Sequence, residues 1–235
     1  AWVGSGDKQY KSDVLKYFLK LPSTDFKGYD DVFLKTKVVL ILKNNEVSKK
    51  ARLGEKVDVI FNETIFYAES GGQVSDRGSI VNNEFTGNVI NSNKIKLGND
   101  INIFICNIEV ISGELQTGEI VTQKLDLDYR KQISSHHSAT HLLHETLRQK
   151  LGNHVAQKGS LVTDERLRFD FSHFKPIDEK KLQDIEDEVN NRILSNDDVS
   201  TKIMTQSKAL ENGAIALFGE KYGDQVRVVS MGKSI

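Results

Sequence analysis

The sequence predicts an α+β fold in which an antiparallel β-barrel or sandwich precedes a layer of helices on a sheet. From about Thr36, short strand-like runs follow one another without intervening helices, which is typical of a small barrel or sandwich. From Asp126 onward, helical and strand-like segments are mixed, and this mixture favours helices packed on an antiparallel sheet. We therefore expect a helical segment at residues 1–30, a β domain at 31–125 and an α+β core at 126–235.

Length, charge and cysteine content narrow the class of protein. With 235 residues, the chain is long enough for one large domain or two modest ones. Its 32 Lys+Arg and 33 Asp+Glu give a net charge of −1, which excludes a generic polycation that coats nucleic acid. The single cysteine, Cys106, precludes an internal disulfide and is most simply a buried strand residue. No membrane-spanning run or secretion signal is present, so we expect a cytoplasmic protein, and Ala1 indicates a piece of a longer chain.

Apolar periodicity and turn residues predict the first elements. Asp7–Leu21 carries apolar residues at helical spacing and is followed by Pro22, so it is predicted to be a short amphipathic helix. Turn signals such as Asn82-Asn83 separate the strand-like runs of the β domain. These runs are Val38–Leu42, Val57–Phe61, Ile101–Ile111 and Ile120–Leu125.

The second half is predicted to contain three helices and four strands. The strongest helix is Ile133–Leu151, with Gly152 as a favourable C-cap. Asp178–Leu194 is amphipathic. The other predicted elements are the strands Val155–Val162, Arg166–Phe171, Thr201–Thr205 and Gln225–Ser230 and a helix at Ser207–Leu217.

Histidines one helical turn apart are the best candidate metal ligands. His137, His141 and His144 fall within about a quarter of the helix circumference at about 100° per residue. Neutral imidazole is the commonest metal ligand, but a zinc site needs three or four ligands, so the helix offers half a site. Histidines hydrogen-bonded at the edge of a helix and a sheet are an equally good interpretation. A metalloprotease is excluded, because Ser138 stands where its general base, a glutamate, is required.

A polar loop with two glycines is the second candidate. Gly71 and Gly72 permit positive φ and close approach of the backbone, while Thr64 and Gln73 present hydrogen-bonding groups. On its own, a hairpin with a polar tip is the commoner explanation.

Longer motifs follow one another along the chain. They are Thr24-Asp25-Phe26-Lys27-Gly28-Tyr29-Asp30, the segment Thr64–Asp76, the histidine helix, Gln157-Lys158-Gly159-Ser160 with Leu167-Arg168-Phe169-Asp170-Phe171, and Gly213-Ala214 with Gly219-Glu220-Lys221-Tyr222-Gly223. In this order they resemble alanyl-tRNA synthetase, and specifically its editing domain, over nearly the whole chain. Ile65 replaces a proline common in that family and Ser138 a common threonine; neither change removes a candidate functional group.

The resemblance implies an arrangement of domains. Residues 1–30 resemble the tail of a helical tRNA-recognition region, and 31–125 a small antiparallel β-barrel similar to those of translation factors. Residues 126–235 resemble the two-layer α+β editing core shared with threonyl-tRNA synthetase. In the family, an aminoacylation domain with ATP, magnesium and alanine sites lies before Ala1. An oligomerisation domain follows the segment that this chain represents.

The resemblance also implies a reaction, the hydrolysis of tRNA(Ala) mischarged with serine or glycine. It implies zinc held by His137 and His141, together with a Cys and a His of a Cys-Gly-Gly-Thr-His motif that follows the equivalent of Ser234-Ile235. Thr64 and Gln73 would recognise the serine side chain or place the attacking water, in a cleft shared with the two histidines. No partnership with DNA or a membrane is implied.

The remaining candidates are residues that could bind substrate or tRNA. Gly71 and Gly72 belong to this group, as do Gln157, Lys158, Arg168 and Lys221. Solvated or salt-bridged surface charge is the more common explanation for each cation, and a structural role is as good for Gln157. Two rival interpretations stay open: a free-standing trans-editing deacylase, and an inactive module that only binds tRNA.

Overall fold

The computed structural model of the chain describes residues 10–98, 101–214 and 223–232. Within these ranges the chain forms four helices and fifteen strands. In chain order they are α1 (Ser12–Phe18), β1 (Asp25–Phe26), β2 (Phe33–Lys43), β3 (Glu46–Ser48), β4 (Lys50–Arg52), β5 (Lys56–Phe61), β6 (Glu63–Thr64), β7 (Gly78–Val81), β8 (Thr86–Leu97), β9 (Ile101–Ser112), β10 (Glu114–Gln116), β11 (Ile120–Leu125), α2 (Leu127–Leu151), β12 (Gln157–Val162), β13 (Leu167–Phe171), α3 (Glu179–Ser195), β14 (Val199–Thr205), α4 (Gln206–Glu211) and β15 (Gln225–Met231).

The chain divides into two compact units. The first comprises residues 1–135 and 161–166, and the second comprises residues 136–160 and 167–235. None of the described helices has the length and apolar character that a membrane crossing requires.

Six antiparallel strands of the first unit close into a barrel. Their order is β11-β7-β8-β9-β5-β2, and β2 pairs back onto β11 to complete the ring. The closing register sets Ile120 opposite Lys37 and Lys124 opposite Phe33. Closure satisfies the backbone groups that an open sheet would leave at its edges. The α+β class and the antiparallel barrel are thereby confirmed, whereas the likeness of the second unit to a threonyl-tRNA synthetase editing core stays a prediction.

Apolar side chains from alternate strand positions fill the barrel. On β5, Val57, Val59 and Phe61 belong to the interior cluster, whereas Ile60 belongs to a second cluster outside it. The whole of Val57–Phe61 is buried, including the charged Asp58, whose Oδ1 accepts a hydrogen bond from Asn107 Nδ2 at 3.0 Å.

Helix α1 covers the outer face of the barrel. Its buried residues Val14 and Phe18 pack with Leu40, Ile60 and Ile103, and the ring of Tyr10 meets Phe18 edge-on at 5.2 Å. The described helix, Ser12–Phe18, is shorter than the predicted Asp7–Leu21. Residues 7–9 lie outside the described residues.

The long strand β8 was not predicted from the sequence. Asparagines and lysines occupy many of its exposed positions, and they dilute the apolar alternation on which strand prediction depends. Its partner β9 supplies the apolar residues, and the two strands stay paired from Thr86 opposite Ser112 to Leu97 opposite Ile101, with register shifts near Gly87 and Asn91.

Helix α2 begins six residues before the predicted Ile133, at Leu127. An aspartate cap explains the earlier start, because Asp126 Oδ1 accepts the backbone N–H of Tyr129 at 3.0 Å. At the other end the prediction is confirmed: Gly152 has φ +116° and its N–H bonds to the carbonyl of Arg148 at 2.9 Å.

The second unit has its own core. Leu147 of α2, Val155 and Ile185 of α3 are buried together, and Phe169 and Phe171 of β13 pack against them. Helix α3 starts where the Asp178 side chain accepts the N–H of Lys181 at 2.8 Å. Strands β14 and β15 form an antiparallel ribbon. Helix α4 ends at Glu211, earlier than the predicted Ser207–Leu217, because Asn212 is its C-cap and Gly213 has φ +82°. Residues 215–217 lie outside the described residues.

Candidate functional site

His137 and His141 lie side by side on successive turns of α2. Their ring centroids are 5.1 Å apart and their planes differ by 20°. Desolvation by surrounding protein atoms lowers the pKa of both imidazoles, although part of His141 is exposed. The nearby His141 lowers the pKa of His137 further. A lowered pKa keeps the rings neutral at pH 7, and a neutral ring has a nitrogen lone pair that can bind a metal or accept a hydrogen bond.

The donor chemistry of this pair fits zinc, which prefers nitrogen and sulfur ligands in a tetrahedral arrangement. In residues 10–98, 101–214 and 223–232, no group of three or more His, Cys, Asp or Glu side chains is placed to hold a metal ion. The two histidines therefore supply half of a zinc site at most. A complete zinc site stays a prediction.

Cys106 is not part of this arrangement. As predicted, it is a buried strand residue, and it lies in the interior cluster of the barrel. Burial raises the pKa of its thiol to about 12. A thiol with that pKa is protonated at neutral pH, so it is a poor metal ligand and a poor nucleophile.

His144 is the buried histidine of the same helix. Its ring lies 5.0 Å from the ring of Phe169, and its Nε2 has no hydrogen-bond partner among the described residues. Burial is the main cause that lowers its pKa. Thr140, which was not among the predicted site residues, is buried on the same helix and donates its hydroxyl to the carbonyl of His136 at 2.8 Å.

The Gly-Gly-Gln loop of the first unit is a tight hairpin. Ser70 and Gln73 exchange backbone hydrogen bonds of 3.2 and 3.0 Å, and Gly71 and Gly72 between them have φ of +60° and +81°. Two consecutive positive φ values are the reason that glycines stand there. The carbonyl of Gly72 accepts the N–H of Val162 at 2.8 Å, so the turn is anchored to the end of β12.

Thr64 is enclosed within the barrel. Its hydroxyl donates to Gln123 Oε1 at 3.2 Å and accepts the N–H of Phe66 at 3.2 Å. Gln123, also fully buried, accepts the N–H of Ile65 at 2.9 Å. These contacts give Thr64 the means to position the loop backbone. Contact of Thr64 or Gln73 with substrate stays a prediction, as does the cleft shared with the histidines.

Arg130 of α2 contacts two of the sequence motifs, Thr24–Asp30 and Thr64–Asp76. Its guanidinium forms an ion pair with buried Asp76, and it also donates to the carbonyls of Gly28 at 2.9 Å and Ile65 at 3.2 Å. Asp76 Oδ2 in turn accepts the N–H of Tyr67 at 2.6 Å. A Cβ on Gly28 would lie 2.1 Å from the Ile65 carbonyl oxygen, so only glycine fits there. Periodicity gave no sign of this junction.

The remaining candidates belong to the hairpin of β12 and β13. Gln157 is half-buried at the start of β12, and the adjacent Lys158 is exposed. Arg168 Nε donates to Asp170 Oδ1 at 2.9 Å on the surface, which is the salt-bridged arrangement given as the common alternative. Lys221 lies outside the described residues. A role of these residues in binding tRNA stays a prediction.

Comparison with known proteins gives two findings. Residues 4–129 match the family model described as tRNA synthetases class II (A). The chain is also similar to an alanine–tRNA ligase of Chelativorans sp., with 45% identity over 233 residues, covering 99% of this chain and 26% of that protein. Alanine–tRNA ligases of Rhizobium meliloti and Bradyrhizobium diazoefficiens are 44% and 43% identical over 234 residues, covering all of this chain and 26% of each protein. The chain thus spans about a quarter of the length of these relatives.

Proposed function

The chain belongs to the family described as tRNA synthetases class II (A), and from this premise we propose that it hydrolyses tRNA(Ala) mischarged with serine or glycine. This membership agrees with the predicted resemblance to alanyl-tRNA synthetase. The parent protein, in this proposal, ligates alanine to tRNA(Ala) with ATP and magnesium in the cytoplasm. Support comes from the similarity to alanine–tRNA ligases over the whole chain. The observation that carries the editing activity is the pair of adjacent, neutral imidazoles, His137 and His141.

A synthetase for alanine needs a second site for a physical reason. Serine differs from alanine by one hydroxyl, and an apolar pocket rejects an analogue that merely adds a hydroxyl by only about 10². A separate site that hydrogen-bonds the hydroxyl discriminates far better, since alanine would leave the buried polar groups unpaired.

The histidines would hold zinc together with ligands from outside the described residues. Zinc at this position would polarise the ester carbonyl or lower the pKa of a water molecule. The chain itself contributes a rigid helical spacing for the two rings, and their neutrality leaves lone pairs available for ligation. An aminoacyl ester is already labile, so orientation and modest electrostatic help suffice without a nucleophilic triad.

The Gly-Gly-Gln loop is proposed to recognise the serine side chain. Gln73 carries both a donor and an acceptor for a hydroxyl group. In this proposal Thr64 positions the loop rather than contacting the substrate, because its buried hydroxyl accepts the N–H of Phe66 in the segment that leads into the loop. Thr64→Val should therefore lower the preference for seryl- over alanyl-tRNA(Ala), and unchanged discrimination would remove Thr64 from the proposal.

Deacylation of mischarged tRNA is the decisive experiment. The full chain, and a version extended into the parent protein, are incubated with zinc and with seryl-, glycyl- or alanyl-tRNA(Ala), and ester loss and bound zinc are measured. We expect the extended version to bind zinc and to hydrolyse the first two substrates. His141→Ala should lower the rate by about 100-fold or more and release the metal, whereas His136→Ala, one residue before the pair, should change neither.

The rival interpretations predict other results. An inactive tRNA-binding module binds tRNA but leaves every ester intact in both versions, and that result would refute editing by this protein. A free-standing deacylase would be fully active as the 235-residue chain, with no gain from the extension.

A further inference from the structure

Three aromatic rings of the second unit form a cluster, here called the ring patch (His154, His173 and Phe174). His154 Nε2 lies 2.9 Å from His173 Nδ1, while the ring centroids are 5.1 Å apart and the planes differ by 19°. A short nitrogen–nitrogen distance with that centroid separation places the imidazoles edge to edge in nearly one plane. Their facing nitrogens are occupied by each other, so the open parts of the pair are ring faces.

Phe174 covers one face of His154. Its ring stacks on His154 with centroids 4.7 Å apart and planes 23° apart. It is nevertheless 83% exposed, more than any other large hydrophobic residue among the described ones. A single exposed apolar side chain is ordinary. An exposed ring held in a fixed stack with a coplanar pair is a preorganised π-face.

Hydrogen bonds fix the backbone that carries the ring patch. Arg148 Nη1 donates to the carbonyls of Asn153 at 3.0 Å and Val155 at 3.1 Å, on either side of His154. The hydroxyl of Ser172, which precedes His173, donates to the carbonyl of His154 at 3.2 Å. The rings are therefore presented by a hydrogen-bonded frame, which lowers the entropy lost when a ligand binds.

Positive charge accompanies the rings. The Arg148 guanidinium lies within this frame, and Lys175 directly follows Phe174 in the chain. Acidic residues nearby in the sequence are engaged elsewhere: Asp170 pairs with Arg168 and Asp178 caps α3. Flat π-faces beside cations fit a ligand that is both planar and anionic, and an unpaired nucleotide of RNA has this chemistry, with a base that stacks and a phosphate that pairs with cations.

We propose that the ring patch binds an unpaired nucleobase of an RNA ligand, which stacks on Phe174 while a neighbouring phosphate interacts with Arg148 and Lys175. The inference rests on the proposed function to the extent that tRNA is the partner. It adds a binding surface outside the histidine pair and the Gly-Gly-Gln loop, and it involves no chemical step.

A fluorescent RNA tests this surface directly. The probe is an RNA hairpin with a four-nucleotide unpaired 3′ end that carries 2-aminopurine, whose emission falls on stacking; a blunt hairpin serves as the duplex control. We expect the full chain to quench the probe. Phe174→Ala should abolish the quenching and weaken binding by about 5-fold or more, the usual size of a base–aromatic stack. Phe174→Trp should preserve both.

Two controls make the result specific. Phe33→Ala removes a ring that is also highly exposed, at 59%, and should leave binding unchanged. The affinity of the blunt hairpin should not respond to Phe174→Ala. The inference is overturned if the chain binds neither RNA, if Phe174→Ala binds and quenches like the unaltered chain, or if the blunt hairpin weakens equally.

Failure of this inference and failure of the editing proposal give different outcomes. If Phe174→Ala loses the quenching while seryl-tRNA(Ala) stays intact with every version of the chain, the ring patch is supported and the editing proposal is refuted. If seryl-tRNA(Ala) is hydrolysed while Phe174→Ala quenches the probe like the unaltered chain, the editing proposal is supported and the ring patch is refuted.

Discussion

Arg130 Nε lies 2.6 Å from Asp76 Oδ1, and this pair stands where the segments around Gly28, Ile65 and Tyr67 meet. The Asp76 side chain is 1% exposed and that of Arg130 is 23% exposed. Salt screens a charge pair this enclosed only weakly. Removing either partner would leave the other charge buried without a counter-charge, which lowers the stability of the fold.

Asp76→Asn tests this junction. It keeps the shape of the side chain but leaves the Arg130 guanidinium without its counter-charge, so we expect a loss of about 3 kcal/mol in the free energy of unfolding. Urea denaturation followed by circular dichroism measures it. Arg168→Gln, which breaks the exposed pair with Asp170, should change the value by less than about 0.5 kcal/mol. Equal losses would contradict the dominance of the buried pair.

Gly78→Ala tests the contact between β7 and β11. A Cβ at Gly78 would lie 2.1 Å from the Lys124 carbonyl oxygen and 2.8 Å from the Phe66 ring, and neither the backbone nor a buried ring yields easily. We expect a loss of about 2–3 kcal/mol, measured as a lower unfolding midpoint in urea. At Gly98 the added Cβ meets nothing within 4 Å, and only its φ of +61° is unfavourable. Gly98→Ala should therefore lose only about 1 kcal/mol, and a larger loss there than at Gly78 would refute the steric argument.

Phe18→Ala tests whether α1 belongs to the core of the first unit. Phe18 is fully buried against the outer face of the barrel, so its truncation should lower the free energy of unfolding by about 3–5 kcal/mol. Tyr17, the preceding residue, is 49% exposed, and Tyr17→Ala should change stability by less than about 0.5 kcal/mol. Thermal unfolding of both variants decides the matter; similar melting temperatures would show that α1 is dispensable.

Titration of His144 should make stability depend on pH. Burial lowers the pKa of His144 in the folded state, whereas the unfolded chain has a value of about 6.5. As the pH falls below about 6.5, the unfolded state takes up a proton that the folded state refuses, so stability declines until the pH passes the lower folded value. His144→Gln should reduce the slope of the unfolding free energy against pH between 7 and the folded pKa, measured with a chelator present. Part of the slope should persist, because the pKa values of His137 and His141 are lowered as well. An unchanged slope in His144→Gln would reject the assignment.

Elements with a strong apolar period could be predicted from the sequence, and the polar ones could not. Ile120–Leu125 was predicted with the bounds that β11 has, and the end of α2 was fixed by Gly152. Strand β8 could not be predicted, because its partner β9 contains most of the apolar residues of the pair. Only tertiary contacts reveal such a strand.

Of the candidate sites, spacing alone placed His137 and His141 together, because a helix fixes the geometry of residues four apart. The interior position of Thr64 and the contacts of Gln123 and Arg130 arise from segments distant in sequence. No local pattern encodes contacts of that kind. Side-chain spacing therefore predicts which residues share a face of one helix or strand. It does not predict which residues of another helix or strand will contact that face.

The pairing of β2 with β11 has a consequence for synthesis. These strands stand at the two ends of the barrel segment, so the ring cannot close until Leu125 has emerged from the ribosome. Until then, β2 has an unsatisfied edge of hydrogen-bonding groups along the register that β11 will later occupy. The nascent chain is therefore most prone to aggregate just before β11 appears, and a chaperone that shields exposed strand edges would act in that interval.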